Sequence, residues 1–176
     1  GCSTVLTLLL GILMAPYRMK RILSFFDPWS HAKSSGFQII QSYVAFQNGR
    51  IWGTGLGESK QKLFFLPEAH TDFVFSVLAE ELGLVGSCFI LICLFYLISL
   101  GYRISLQQKK AFYFYLAFGL VSLLAYQSLL NLSVVMGLLP TKGISLPFMS
   151  YGSSSLITCF ICSGILARLA KSHTNT

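Results

Sequence analysis

Three long stretches of this chain carry no charged side chain: residues 82–102, 111–141 and 143–167. A helix rises ~1.5 Å per residue, so the first stretch alone is long enough to cross a hydrocarbon layer ~30 Å thick. Over the whole chain of 176 residues, 54% are hydrophobic and only 11% charged, which excludes an ordinary soluble domain. The expected fold is an all-α, polytopic membrane helix bundle forming a single membrane domain.

The charged residues and the turn formers place the boundaries. Transmembrane helices are expected over 72–102, 111–136 and 151–168, with connections at 103–110 and 137–150 and a tail over 169–176. The second helix should end near Gly137-Leu138-Leu139-Pro140, and Pro147 with the Ser150 to Ser155 run favours irregular backbone before the third. Such backbone is tolerated at membrane depth only where protein buries it or it lines a cavity. Residues 1–16 are apolar, with no basic segment or initiator Met ahead of them and Arg18, Lys20 and Arg21 behind. That order suits part of a transmembrane helix better than a signal peptide, so the chain is expected to be the C-terminal part of a longer protein.

Orientation follows from the short loops. Arg103, Lys109 and Lys110 lie after the first full span, and Arg168 and Lys171 close the last, so both ends read as cytoplasmic. Lys142 and the segment 17–71 then face outward. That segment carries seven of the thirteen basic residues, against the charge rule, although long loops cross regardless of charge.

Several functions are disfavoured. The net charge of +7 is spread over both sides of a membrane, which suits anionic lipid headgroups or an anionic substrate and offers no single stripe to a nucleic acid. Cys2, Cys88, Cys93, Cys159 and Cys162 fall in apolar runs and read as packing residues. The Cys159-Phe160-Ile161-Cys162 spacing has no second pair or nearby histidine to make a zinc site. Gly53-Thr54-Gly55-Leu56-Gly57 lacks the preceding strand and the Lys-Ser/Thr end of a nucleotide loop, and reads as flexible backbone with exposed amides. The segment 17–71 is too long for a simple connector; Trp29 suits a membrane interface, and Gly36 to Phe46 suits a short helix lying against it.

Four of the six acidic residues, Glu68, Asp72, Glu80 and Glu81, crowd against the start of the first full span. On a regular helix Glu80 lies ~80° around and ~12 Å along from Asp72, and Glu81 lies on the opposite face, so neither makes a close dyad with it. The Glu pair reads as structural, at the headgroups or in the bundle interior. Asp72 is open to two readings: a carboxylate at a helix N-terminus favoured by the macrodipole, or a reacting group at the membrane surface. His70 reads as an interfacial hydrogen-bonding residue, Thr71 as a helix cap, and Lys142 as a cation snorkelling to headgroups.

Phe26-Asp27-Pro28-Trp29, Gly36-Phe37-Gln38, Gln41-Ser42, Gly53 to Gly57, Leu66 to Phe73, Glu80-Glu81-Leu82-Gly83 and Leu139-Pro140-Thr141-Lys142-Gly143 through Tyr151-Gly152 together resemble the SEDS family of FtsW, RodA and SpoVE. Asp-Pro-Trp, Glu-Ala-His-Thr-Asp and Pro-Thr-Lys-Gly are more similar to the division and sporulation branches than to RodA. The family's usual Tyr-Gly-Gly-Ser-Ser stands here as Tyr151-Gly152-Ser153-Ser154-Ser155.

The resemblance implies a ten-helix protein of the bacterial cytoplasmic membrane, at the division septum, that polymerises lipid II into glycan strands on the outer face. This chain would supply about the last four helices, with 17–71 as the large outer loop. The family's catalytic aspartate falls on Asp72, which would act as general base. Glu68, His70, Thr71, Lys142, Ser150, Tyr151 and Ser154 are then substrate-binding candidates, with Lys142 facing the diphosphate leaving group. A divalent cation, Mg²⁺ or Mn²⁺, is implied, with no metal ligands identified. A class B penicillin-binding protein, other division proteins and membrane lipids are the implied partners. A lipid II transporter and a division scaffold are the alternatives. Transport would favour polar groups at mid-span, whereas this chain keeps its acids at one edge.

Overall fold

The computed structural model describes Arg21 and residues 23–32, 36–58 and 72–174. The expected partial helix at 1–16 lies outside the described residues. Those described form helices and loops with no strand among them. Four helices are described from end to end: α1 (Phe37–Gly49), α2 (Val74–Leu106), α3 (Ala111–Val135) and α4 (Ser153–Thr174); Arg21 and residues 23–26 are helical as well. Three are long and apolar enough to cross a membrane: α2, α3 and the Ser153–Lys171 part of α4.

The helix ends have local causes. α2 starts at Val74, two residues later than expected, because Phe73 is not helical (φ −108°, ψ 21°). It continues past 102 to Leu106, with Arg103 in its last turn, where a cation complements the helix dipole. Gln107 N–H then donates to Arg103 O at 3.2 Å. The short joint to α3 makes α2 and α3 antiparallel neighbours. α4 starts at Ser153, where Ser adopts helical backbone without the positive φ that would call for Gly.

Small residues bring the helices close, as in membrane packing generally. A Cβ on Gly101 would lie 2.6 Å from Val121 Cγ2, so α3 rests directly on this glycine. Nearby, Ala117 and Val121 of α3 pack with Leu166 and Leu169 of α4, and Tyr102 Oη and Ser122 Oγ share a hydrogen bond of 3.2 Å. Cys159 and Cys162 are buried against Leu124, whereas Cys88 and Cys93 are exposed on the outside of the bundle with Phe89, Ile92 and Phe95. At the other end of the bundle Phe73, Phe75, Val77, Val134, Val135 and Leu146 form the core that supports the two loops described next.

α2 is interrupted at Gly83 (φ 68°, ψ −167°), which frees backbone groups that hydrocarbon could not hydrate. The segment after α1 fills the gap. Glu80 O accepts from Thr54 N–H at 2.9 Å and Glu81 O from Gly55 N–H at 3.1 Å. In return Leu84 N–H donates to Arg50 O at 2.9 Å, and Val85 N–H to Ile51 O at 3.3 Å. The amides of Thr54 and Gly55, read from sequence as exposed, are therefore committed to the helix break. Only glycine fits here: a Cβ on Gly83 would fall onto Gly53 N and Ile51 O, and one on Gly53 onto Glu81 O.

Candidate functional site

Two of the residues expected to do chemistry, Asp72 and Lys142, meet where two loops cross the end of the bundle. One loop is the entry to α2, carrying Asp72. The other is 136–152, the irregular connection from α3 to α4. They enclose a recess of about 530 Å³ lined by Arg21, Asp72 and Lys142, with Gln38, Thr141 and Gly143 between them. Two other cavities, about 330 Å³ beside Phe46 and Leu84 and about 600 Å³ between Leu97 and Ala170, have mostly apolar walls with one cation each, Arg50 and Lys171. Neither of those two holds a carboxylate.

Asp72 is half-buried and Lys142 exposed. Because α2 begins at Val74 with no acidic residue in its first turn, Asp72 stands ahead of the helix rather than inside it. Macrodipole stabilisation, which fades beyond the first turn, is accordingly a weaker account of this aspartate. The Lys142 loop comes against it through Gly143, where an added Cβ would lie 3.2 Å from Asp72 Oδ2. Arg21 reaches the same place from 120 residues earlier, donating from Nη1 to Thr141 O at 3.0 Å.

Asn131, near the end of α3, ties the two loops together. Its side chain is 1% exposed, and Nδ2 donates to Asp72 O at 2.8 Å and to Ile144 O at 2.5 Å. Two main-chain carbonyls require donors, so the amide nitrogen has to face them. One turn earlier Gln127 Nε2 donates to Ser145 O at 3.0 Å, and Ser145 Oγ to Ser155 Oγ at 2.7 Å. The irregular segment thus has its carbonyls satisfied by amides from an otherwise apolar helix.

Of the residues singled out from sequence, Asp72 and Lys142 line the recess together. Ser150 is buried, and its Oγ accepts from Leu146 N–H at 2.6 Å, closing the turn at Pro147 rather than facing the recess. Tyr151 is 81% exposed and Ser154 is also exposed; neither is part of the recess lining. Glu68, His70 and Thr71 lie outside the described residues. Sequence reasoning passed over Arg21, Gln38 and Gly143 as site residues, and Asn131 altogether. The available signals were a basic group that contradicted the charge rule at Arg21 and, for Asn131, a pair of amides four residues apart with Gln127 in a charge-free span.

Glu80 and Glu81 sit elsewhere. Glu80 is 1% exposed and accepts from Asn48 Nδ2 at 3.0 Å. Glu81 is buried beside the Gly83 break, and its Oε1 has no hydrogen-bond partner among the described residues. Among those residues there is no group of three or more His, Cys, Asp or Glu side chains able to hold a metal ion. Asp72 is the one described carboxylate lining the recess, and Mg²⁺ can bind through as few as one or two carboxylates with other oxygen ligands.

The chain matches the family model of the FtsW, RodA and SpoVE cell cycle proteins over residues 1–175. It is 52% identical over 165 residues to the probable peptidoglycan glycosyltransferase FtsW of Geobacter metallireducens, covering 94% of this chain and 44% of that protein. It is 46% identical over 160 residues to the stage V sporulation protein E of Bacillus subtilis, covering 91% of this chain and 44% of that one. A solved structure described as the structural coordination of polymerization and crosslinking by a peptidoglycan synthase complex is similar with a TM-score of 0.70 at 27% identity. That likeness covers 97% of this chain and 47% of the other. The chain spans somewhat under half the length of these relatives.

Proposed function

This chain belongs to the FtsW/RodA/SpoVE family, and from that premise we propose that the complete protein is a peptidoglycan glycosyltransferase that polymerises lipid II, with Asp72 as its general base. The observation that carries this reading is the meeting of Asp72 with Lys142 and Arg21 in one polar recess at the end of an apolar bundle. A lipid-linked headgroup can reach that position while its chain stays in the bilayer.

In the reaction the oxygen of an acceptor sugar hydroxyl attacks the anomeric carbon of the donor, and the bond from that carbon to the lipid diphosphate breaks. The hydroxyl proton passes to the Asp72 carboxylate, a transfer worth ~10²–10⁴-fold in rate. The departing electron pair stays on the diphosphate oxygen, where Lys142 and Arg21 supply positive charge fixed in advance. A divalent cation such as Mg²⁺ or Mn²⁺, held by the diphosphate with Asp72 or Glu68, would add charge neutralisation there. Glu68, His70 and Thr71 precede Asp72 in the chain and are assigned to headgroup binding; Tyr151 and Ser154 are weaker candidates for the same task, whereas Ser150 Oγ is committed to the Leu146 amide.

The proposed setting is the bacterial inner membrane at the division septum. A class B penicillin-binding protein would crosslink the new strand, with other division proteins and membrane lipids in contact. The name of the similar synthase complex, which couples polymerization and crosslinking, supports that choice. Asp72→Asn in the complete protein, reconstituted in proteoliposomes with lipid II and its partner, tests the reading. Loss of polymerisation with lipid II movement across the bilayer unchanged is expected. Unchanged polymerisation with movement abolished would favour a transporter, and no change in either a scaffold.

A further inference from the structure

We propose that Asn131 is a positioning residue for glycosyl transfer, its amide setting where the Asp72 base stands relative to the Lys142 loop. The inference rests on the reading of Asp72 given above and extends it to a residue buried away from substrate. Asn131 joins segments 59 and 13 residues away with a single amide nitrogen. Asp72 O accepts from Asn131 Nδ2 just ahead of the α2 backbone bonding, which begins with Phe73 O accepting from Ser76 and Val77. Ile144 O, the other acceptor, lies two residues after Lys142. A shift of Asn131 therefore moves the base and the cation relative to each other.

The neighbouring amide provides a contrast inside the same helix. Gln127 lies four residues before Asn131, on the same face of α3, and holds Ser145 O and the Ser145–Ser155 pair without touching Asp72. Both amides support the irregular segment; only Asn131 also grips the entry to α2. Asn131 Oδ1 is buried with no hydrogen-bond partner among the described residues. A half-satisfied amide on an apolar helix is locally unfavourable, a local conflict of the kind proteins keep where function needs a particular geometry.

The test uses the complete protein with lipid II and its penicillin-binding partner, comparing Asn131→Leu with Gln127→Leu. A misplacement of about 1 Å at a reacting centre can cost ~10²-fold, so Asn131→Leu is expected to lower kcat by about that factor with KM for lipid II within about threefold. Gln127→Leu is expected to keep kcat within about threefold while lowering thermal stability as much as Asn131→Leu. In an Asp72→Glu background, where the carboxylate is already displaced, Asn131→Leu should lose less than it does in the parent protein. Equal kcat losses for the two Leu variants, or losses that simply multiply in the double variant, would overturn the proposal. Should Asn131→Leu fail to fold, Asn131→Ala removes both donors with less bulk; the same loss supports the proposal and a full rate overturns it. An inactive Asp72→Asn beside a fully active Asn131→Leu removes only the role of Asn131. An active Asp72→Asn removes the base assignment and the proposal with it.

Discussion

Two acidic positions eight residues apart, Asp72 and Glu80, have been given opposite surroundings. Asp72 stands ahead of α2, half-buried, in a recess shared with Arg21 and Lys142. Glu80 lies inside α2, buried against Asn48, while its own carbonyl accepts the Thr54 amide. The Asp72 backbone is held by the Asn131 side chain and the facing loop at Thr141 by Arg21, and the Asp72 side chain lines the recess between them. Beyond Glu80 the helix is held by backbone hydrogen bonds across the Gly83 break, where Gly53 and Gly83 leave no room for a Cβ. The first arrangement leaves a polar recess at the end of the bundle, and the second stops a helix break from leaking polar groups into lipid.

Substitutions can break that contrast. The largest effect is expected from Asp72→Asn, with kcat for lipid II polymerisation falling ~10²–10⁴-fold and the folded fraction unchanged. Lys142→Ala should follow, with a loss of ~10²–10³-fold from removing a fixed charge opposite the leaving group. Gly143→Ala places a methyl group 3.2 Å from Asp72 Oδ2, and a loss of about tenfold in kcat is expected as the carboxylate gives way. At the other position the readout changes from rate to stability. Gly83→Ala should lower unfolding stability by ~1–3 kcal/mol, because alanine is strained at φ 68° and its Cβ meets the inserted loop, with kcat within about threefold for folded protein. Glu80→Gln keeps an oxygen for Asn48 and should change stability by at most about 1 kcal/mol, read by thermal unfolding in detergent or nanodiscs.

The spans were legible because charge-free runs longer than a bilayer leave few choices, and the exclusion of Glu80 and Glu81 from a dyad followed from helix geometry. Asp72 was legible through family resemblance and Lys142 as the cation alone on the outer connection, since 70 residues separate them and no periodicity links them. The Gly83 break was hidden: its partners, Arg50, Ile51, Thr54 and Gly55, act through main-chain groups that side-chain patterns do not report. Arg21 was hidden for a different reason. Its contact with Thr141 is tertiary, and by charge counting alone it was an exception to topology rather than a site residue. Asn131 lay within an apolar span, where one uncharged amide barely alters the hydropathy that defines the helix.

The contrast between the two carboxylates is tested most directly by measuring lipid II polymerisation by Asp72→Asn and Glu80→Gln side by side, in the complete protein with its partner and corrected for folded protein. The expected result is a loss of at least ~10²-fold for Asp72→Asn and a rate within about threefold of the parent for Glu80→Gln. Polymerisation by Asp72→Asn at the parental rate, or an equal loss in both variants, would contradict it.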